Sequence, residues 1–182
     1  MRVFFALMPP PRVARALAAA AAQIRLPHAR RLPAANLHVT LAFVGEVDAR
    51  ARAACECAAA TVDGDSFALA FDRAGHFEGA RVAWLGLGRS PPALDALVAT
   101  LRAALDAAGQ RYDPKPFRCH LTIARDARAV PLPQTLAPVC WPVHEFALVE
   151  SLSGSAGVRY ETRAKWPLRP ACRDETAPPP VQ

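Results

Sequence analysis

A chain of 182 residues, 52% of them hydrophobic, suffices for one domain or two small lobes sharing a core. Alanine inflates that fraction, so the large apolar side chains are fewer than it implies. The formal charge of +6 favours anionic partners, but the arginines are scattered and Lys115 and Lys165 are the only lysines, which excludes a basic nucleic-acid-binding tail.

Five cysteines (Cys55, Cys57, Cys119, Cys140 and Cys172) form an odd set with no CxxC pair. That argues against a disulfide framework and a structural zinc site, and for reduced thiols in a cytoplasmic protein. The N-terminus is too proline-broken for a signal peptide, and no apolar stretch is long enough to span a membrane.

In chain order, residues 2–8 (RVFFALM) predict a buried strand that ends at the prolines of 9–11. Residues 12–25 predict a helix, with Val13, Leu17 and Ile24 on one face. Residues 26–36 read as loop, and 37–44 as a strand ended by Gly45. Residues 48–62 predict an Ala-rich helix with Asp48 as N-cap and Glu46 in the preceding turn. Residues 66–77 and 81–88 predict two strands joined by a turn near Glu78-Gly79-Ala80. A third helix is expected from about Ser90-Pro91-Pro92 to Ala108, stopped by Gly109. Residues 110–118 read as loop and 119–124 as a strand. Two last strands, 143–150 and 158–166, flank a turn over 153–157. Short links between mixed elements give an α+β fold with antiparallel sheet. The GLG at 86–88 lacks the rest of a dinucleotide-binding fingerprint.

One short pattern occurs twice. His38-Val39-Thr40-Leu41-Ala42 is echoed by His120-Leu121-Thr122-Ile123-Ala124, one copy in each half of the chain. Side chains alternate faces along a strand, so each His and Thr share one face. Val39, Leu41 and Phe43 share the other, as do Leu121 and Ile123. The apolar face can pack on helices while two imidazoles and two hydroxyls gather around one groove. Such a set suits displacement at phosphorus. One histidine takes a proton from the attacking oxygen and the other protonates the leaving oxygen. The threonines donate to the non-bridging oxygens, where charge builds, and no metal is required. Two histidines without a carboxylate or thiolate at useful spacing make a poor metal site. A single His-x-Thr in a strand is ordinarily structural; the repeat reverses that balance.

The two motifs, with RVFFAL, NLHVTLAFVGEV, RVAWLGL, FRCHLTIAR and the FALVES…RYETRAKWPL ending, resemble the 2H phosphoesterase superfamily. More closely, they resemble the bacterial and archaeal RNA 2′,3′-cyclic phosphodiesterases, also called 2′-5′ RNA ligases. The resemblance covers about residues 1–168 as one bilobal domain, and 169–182 are expected to form a disordered tail. It implies two pseudo-symmetric lobes of antiparallel sheet with flanking helices around a central cleft. It implies His38 as proton donor to a leaving O3′, His120 as the base activating water, and Thr40 and Thr122 as phosphate ligands. No cofactor and a monomer are expected, with an RNA bearing a 2′,3′-cyclic phosphate end or a cyclic nucleotide as partner. Cys119 stands where the family often has proline.

Arg125 matches the family's arginine shortly after the second motif. Plain strand alternation puts it on the face of Leu121 and Ile123, so a bulge or the strand's end must turn it. Arg118 has the parity of His120 and is the rival phosphate contact. The competing functions are 2′-5′ joining of tRNA halves, hydrolysis of a small cyclic nucleotide such as ADP-ribose 1″,2″-cyclic phosphate, and a non-catalytic RNA-binding module. His28, His76 and His144 lack polar partners at motif spacing and are read as surface or capping residues. Phe5 and Trp84, which could stack on a base, are read as core.

Overall fold

The computed structural model describes residues 1–128, 133, 135–154 and 157–170. In chain order the strands are β1 (Arg2–Leu7), β2 (Arg30–Arg31), β3 (Val39–Glu46), β4 (Phe67–Phe77), β5 (Val82–Leu87), β6 (His120–Arg125), β7 (Val139–Val143), β8 (Glu145–Gly154) and β9 (Gly157–Pro167). The helices are α1 (Pro11–Ala22), α2 (Ala49–Ala60) and α3 (Pro92–Ala107), and a 3-10 turn covers Ala34–Asn36. No helix among the described residues is long and apolar enough to cross a membrane.

The nine strands of the described residues form one antiparallel sheet in the order β7-β4-β5-β6-β3-β1-β8-β9, with β2 attached to β6. The order is symmetric about the β6/β3 seam. The unit β1-α1-β3 on one side corresponds to β5-α3-β6 on the other, each flanked by two further strands. The seam is narrow: β3 and β6 share one ladder pair, Val39↔Leu121. Beyond that pair the strands part and open a cleft.

Local sequence accounts for most element ends. The carboxylate of Asp48 accepts from the Ala51 amide at 2.7 Å, which caps α2. Pro11 and Pro92 sit in the first turns of α1 and α3, where a missing N–H costs nothing. After α3, Gly109 adopts φ +65° and the Gln110 amide reaches back to Leu105 at 2.9 Å, a left-handed closure that favours glycine. One continuous core joins the sheet's apolar face to the helices: Leu17 of α1, Leu97 and Leu101 of α3, and Phe5, Leu41, Leu85, Leu121 and Phe146 of the sheet. The buried cluster runs across both sides of the seam.

The structure departs from the sequence reading at three places. The 139–143 segment, VCWPV, is a strand, pairing with β4 from Phe67↔Val143 to Phe71↔Val139. Its Pro142 is tolerated because β7 lies at the sheet edge. Gly45 does not end β3; it lies inside it at φ +94°, where the register with β1 shifts. Arg30 and Arg31, read as loop, pair with Arg125 and Ala124. At the far end, Arg169 bridges to Asp63 and Asp65 at 2.8 and 3.1 Å, and residues 171–182 of the expected tail lie outside the described residues.

Candidate active site

The two motif histidines lie at the seam. With Val39 opposite Leu121, the antiparallel register sets His38 beside Thr122 and Thr40 beside His120. Val39 and Leu121 are fully buried on the core side, while the two histidines and two threonines are half-buried on the cleft side. Both imidazoles are held the same way. His38 Nδ1 lies 2.8 Å from the Asn36 carbonyl, and His120 Nδ1 lies 2.7 Å from the Arg118 carbonyl. A carbonyl only accepts, so each Nδ1 carries the hydrogen and each Nε2 is left as the working nitrogen. The Thr40 and Thr122 hydroxyls have no hydrogen-bond partner among the described residues and are free to donate.

Aromatic rings fix both imidazoles from the side. His38 packs against Phe4 and Tyr160, with ring centroids 4.9 and 4.8 Å away. His120 meets the edge of Phe77 at 5.0 Å. The His38 pKa is held down at about 4, chiefly by burial, with the hydrogen bond to Asn36 opposing it and the nearby Arg125 and His120 adding to it. In the free protein at neutral pH, His38 is therefore uncharged.

The parity of Arg125 has a structural answer. Between Trp84↔Thr122 and Ala83↔Ala124, β6 takes one extra residue, a bulge at Ile123. Ile123 and Ala124 are consequently both buried, and Arg125 comes out on the face of His120 and Thr122. The first motif has the same device. Between Ala6↔Thr40 and Phe5↔Ala42, β3 carries an extra residue at Leu41, and Leu41 and Ala42 are both buried. Phe43 therefore turns to the cleft face and does not share the core face of Val39, contrary to the alternation expected from sequence. Arg125 and Phe43 occupy equivalent places after the two motifs.

A cavity of about 560 Å³ opens on the His38 side of the seam. His38, Thr40, Phe43 and Arg125 line it, joined by Arg2, Arg30 and Tyr160. Arg118 goes elsewhere. Its guanidinium lies 4.8 Å over the Trp84 ring and 5.3 Å over Phe77, at a separate cavity of about 450 Å³. Cys119 borders that second cavity, and burial, with a smaller push from Asp95, raises its thiol pKa to about 12, so it stays protonated. Phe5 is fully buried in the core, whereas Trp84, 8% exposed, lines the second cavity beneath Arg118; the ring beside His38 is Phe4, on the opposite face of β1 from Phe5. His28 and His144 are exposed, and the His76 ring bonds the Ala127 carbonyl at 3.0 Å.

Arg2, Arg30 and Tyr160 are cavity residues that the sequence reading missed. They come from β1, β2 and β9, and no local spacing connects them.

Comparison with known proteins places this arrangement. The sequence model of the 2′-5′ RNA ligase superfamily matches residues 9–155. The chain is 35% identical, over 169 residues, to the RNA 2′,3′-cyclic phosphodiesterase of Escherichia coli (strain K12), covering 92% of this chain and 96% of that protein. Escherichia coli LigT complexed with 3′-AMP superposes with a TM-score of 0.85 at 34% identity, over 92% of this chain and 97% of that one. A protein of Thermus thermophilus superposes with a TM-score of 0.79 at 28% identity, over 94% and 100%. With the family match spanning both motifs and the fold shared along nearly its whole length, the chain belongs to the 2′-5′ RNA ligase superfamily of 2H phosphoesterases.

Proposed function

We propose that the chain hydrolyses 2′,3′-cyclic phosphodiester ends of RNA to 2′-phosphomonoesters, with His38 and His120 as an acid–base pair and no metal. The observation that carries this reading is the pair of imidazoles fixed in one tautomer across the seam, each Nε2 unbonded among the described residues. The activity named for the Escherichia coli relative supports the substrate. His120 Nε2 takes a proton from water, the water oxygen attacks phosphorus, the P–O3′ bond breaks, and His38 Nε2 delivers a proton to O3′. Thr40, Thr122 and Arg125 hold the non-bridging oxygens as their charge grows.

The acid role requires that His38 gain a proton. Its low pKa comes from burial and the charges of Arg125 and His120. A bound phosphate anion offsets the guanidinium and stabilises the imidazolium, so the proton arrives with substrate. The same low pKa supports a second reading in which His38 is the base and His120 the acid. A p-nitrophenyl phosphodiester, whose leaving group needs no proton, separates them: alanine at the acid position is rescued and alanine at the base position is not.

The test is product analysis on an RNA ending in a 2′,3′-cyclic phosphate. His38→Ala and His120→Ala are each expected to lower kcat by about 10²–10⁴-fold, EDTA to have no effect, and the product to carry a 2′-phosphate. Full activity in either variant ends the two-histidine reading, and a 3′-phosphate product reverses the leaving oxygen. Joined 2′-5′ products in place of hydrolysis favour ligation. RNA binding without turnover favours the binding module.

A further inference from the structure

On the reading proposed above, a cyclic phosphate brings one negative charge to the seam, which Arg125 and the two threonines are able to hold. The cavity beside His38 offers more cationic groups than that. Arg2, Arg30, Arg31 and Arg125 all line it, and no carboxylate does among the described residues. Arg31 is already committed, donating from Nη1 and Nη2 to the carbonyls of Ala21 and Ile24 at 2.8 and 2.6 Å. Among the described residues the Arg30 side chain makes one ion pair, 3.5 Å to Asp126, between two exposed groups, which a solvated pair gives up readily. Arg2 makes no ion pair among the described residues; its guanidinium lies 5.0 Å over the Phe43 ring. Two cations beyond Arg125 therefore face the cavity with little to balance them.

The direction of the substrate follows from which histidine the cavity reaches. His38 lines it and His120 does not. With O3′ beside His38, the ribose and everything 5′ of it lie on the His38 side. The rings of Phe43 and Tyr160 and the hydroxyls of Ser151 and Ser153 complete a wall suited to a nucleoside.

We propose that this cavity holds the phosphodiester 5′ of the cyclic end, that Arg2 and Arg30 bind it, and that the substrate is an oligonucleotide and not a free cyclic mononucleotide. The inference rests on the phosphodiesterase reading for its chemistry, and on the cavity's charge for its specificity.

The experiment compares kcat/KM for adenosine 2′,3′-cyclic phosphate with that for the dinucleotide ApA ending in the same cyclic phosphate, across salt. The dinucleotide is expected to be preferred by at least about tenfold, the least that a charge-assisted contact contributes. Its salt slope is expected to be steeper by about 0.7 per phosphate held. Arg2→Gln and Arg30→Gln are each expected to pull the preference towards one. The ratio is internal to each variant, so loss of folded protein lowers both rates and leaves it unmoved. Equal kcat/KM for the two substrates, or a preference unmoved in both variants, overturns the inference. Binding of 3′-phosphorylated mono- and dinucleotides, which needs no turnover, is read in parallel. No turnover with the binding preference intact overturns the phosphodiesterase reading alone; turnover without preference overturns this inference alone.

Discussion

Acidification from pH 7 to pH 4 is expected to remove about 2 kcal/mol of stability through His38 alone. The folded-state pKa is about 4, against an ordinary 6.5. At about 1.4 kcal/mol per pH unit, that gap sets a ceiling of about 3.5 kcal/mol, and partial exposure of the ring reduces it. The sign follows from which state binds the proton first. Above pH 6.5 neither state is protonated at His38 and the contribution is complete. Between pH 6.5 and 4 the unfolded chain takes up the proton while the folded chain resists, so stability falls; below pH 4 both are protonated and the loss levels off. Arg125 and His120 face the imidazole and push in the same direction as burial. The assay is urea unfolding of the native protein and of His38→Gln at pH 7, 5.5 and 4. Carboxylates titrate alike in both proteins and cancel in the difference. The native protein should lose about 2 kcal/mol more than the variant, mostly between pH 6.5 and 4; parallel stability curves would refute the buried, cation-facing imidazole.

Two further outcomes are expected. Removing the Arg125 charge in Arg125→Gln should move the inflection that His38 gives to kcat/KM from near pH 4 to higher pH and lower kcat by about 10²–10³-fold; an inflection that stays put in a pH–rate profile contradicts the Arg125–His38 coupling. Gly75→Ala puts a Cβ 2.0 Å from the Trp84 ring, which lies flat on bare backbone there, and should cost about 1–3 kcal/mol in denaturant unfolding. Gly79→Ala meets nothing within 4 Å and should stay within about 0.5 kcal/mol; equal effects at the two positions would deny the indole its seat.

Much of the fold was legible because it is written in local pattern. The Asp48 cap, the Gly109 stop and the apolar stripe of α3 each determine backbone shape within a few residues. The histidines and threonines were legible for a different reason, since the repeat made two weak signals into one strong signal. What escaped depends on partners distant in sequence. β7 is a five-residue edge strand with a proline inside, and only pairing with β4 makes it a strand. The faces of Phe43 and Arg125 turn on bulges at Leu41 and Ile123, which show in the ladders to β1 and β5 and not in the sequence of either motif. Arg2, Arg30 and Tyr160 become neighbours only when the sheet has assembled, so no spacing rule finds the cavity they line.

The pairing of β1 with β8 has a temporal consequence. Phe5 lies against Leu148, and the two rings that seat His38 come from Phe4 near the start of the chain and Tyr160 near its end. The half that carries His120 is built from β4 to β7, contiguous in sequence, with a short turn between β4 and β5 and α3 inside the β5–β6 connection. The half that carries His38 must wait for the last two strands, and non-local pairings of this kind are slow to form. During synthesis from the N-terminus, His120 acquires its surroundings first and His38 last. On the two-histidine reading, the acid–base pair is complete only when the final strands have docked, and a C-terminally truncated chain lacks the Tyr160 seat of His38.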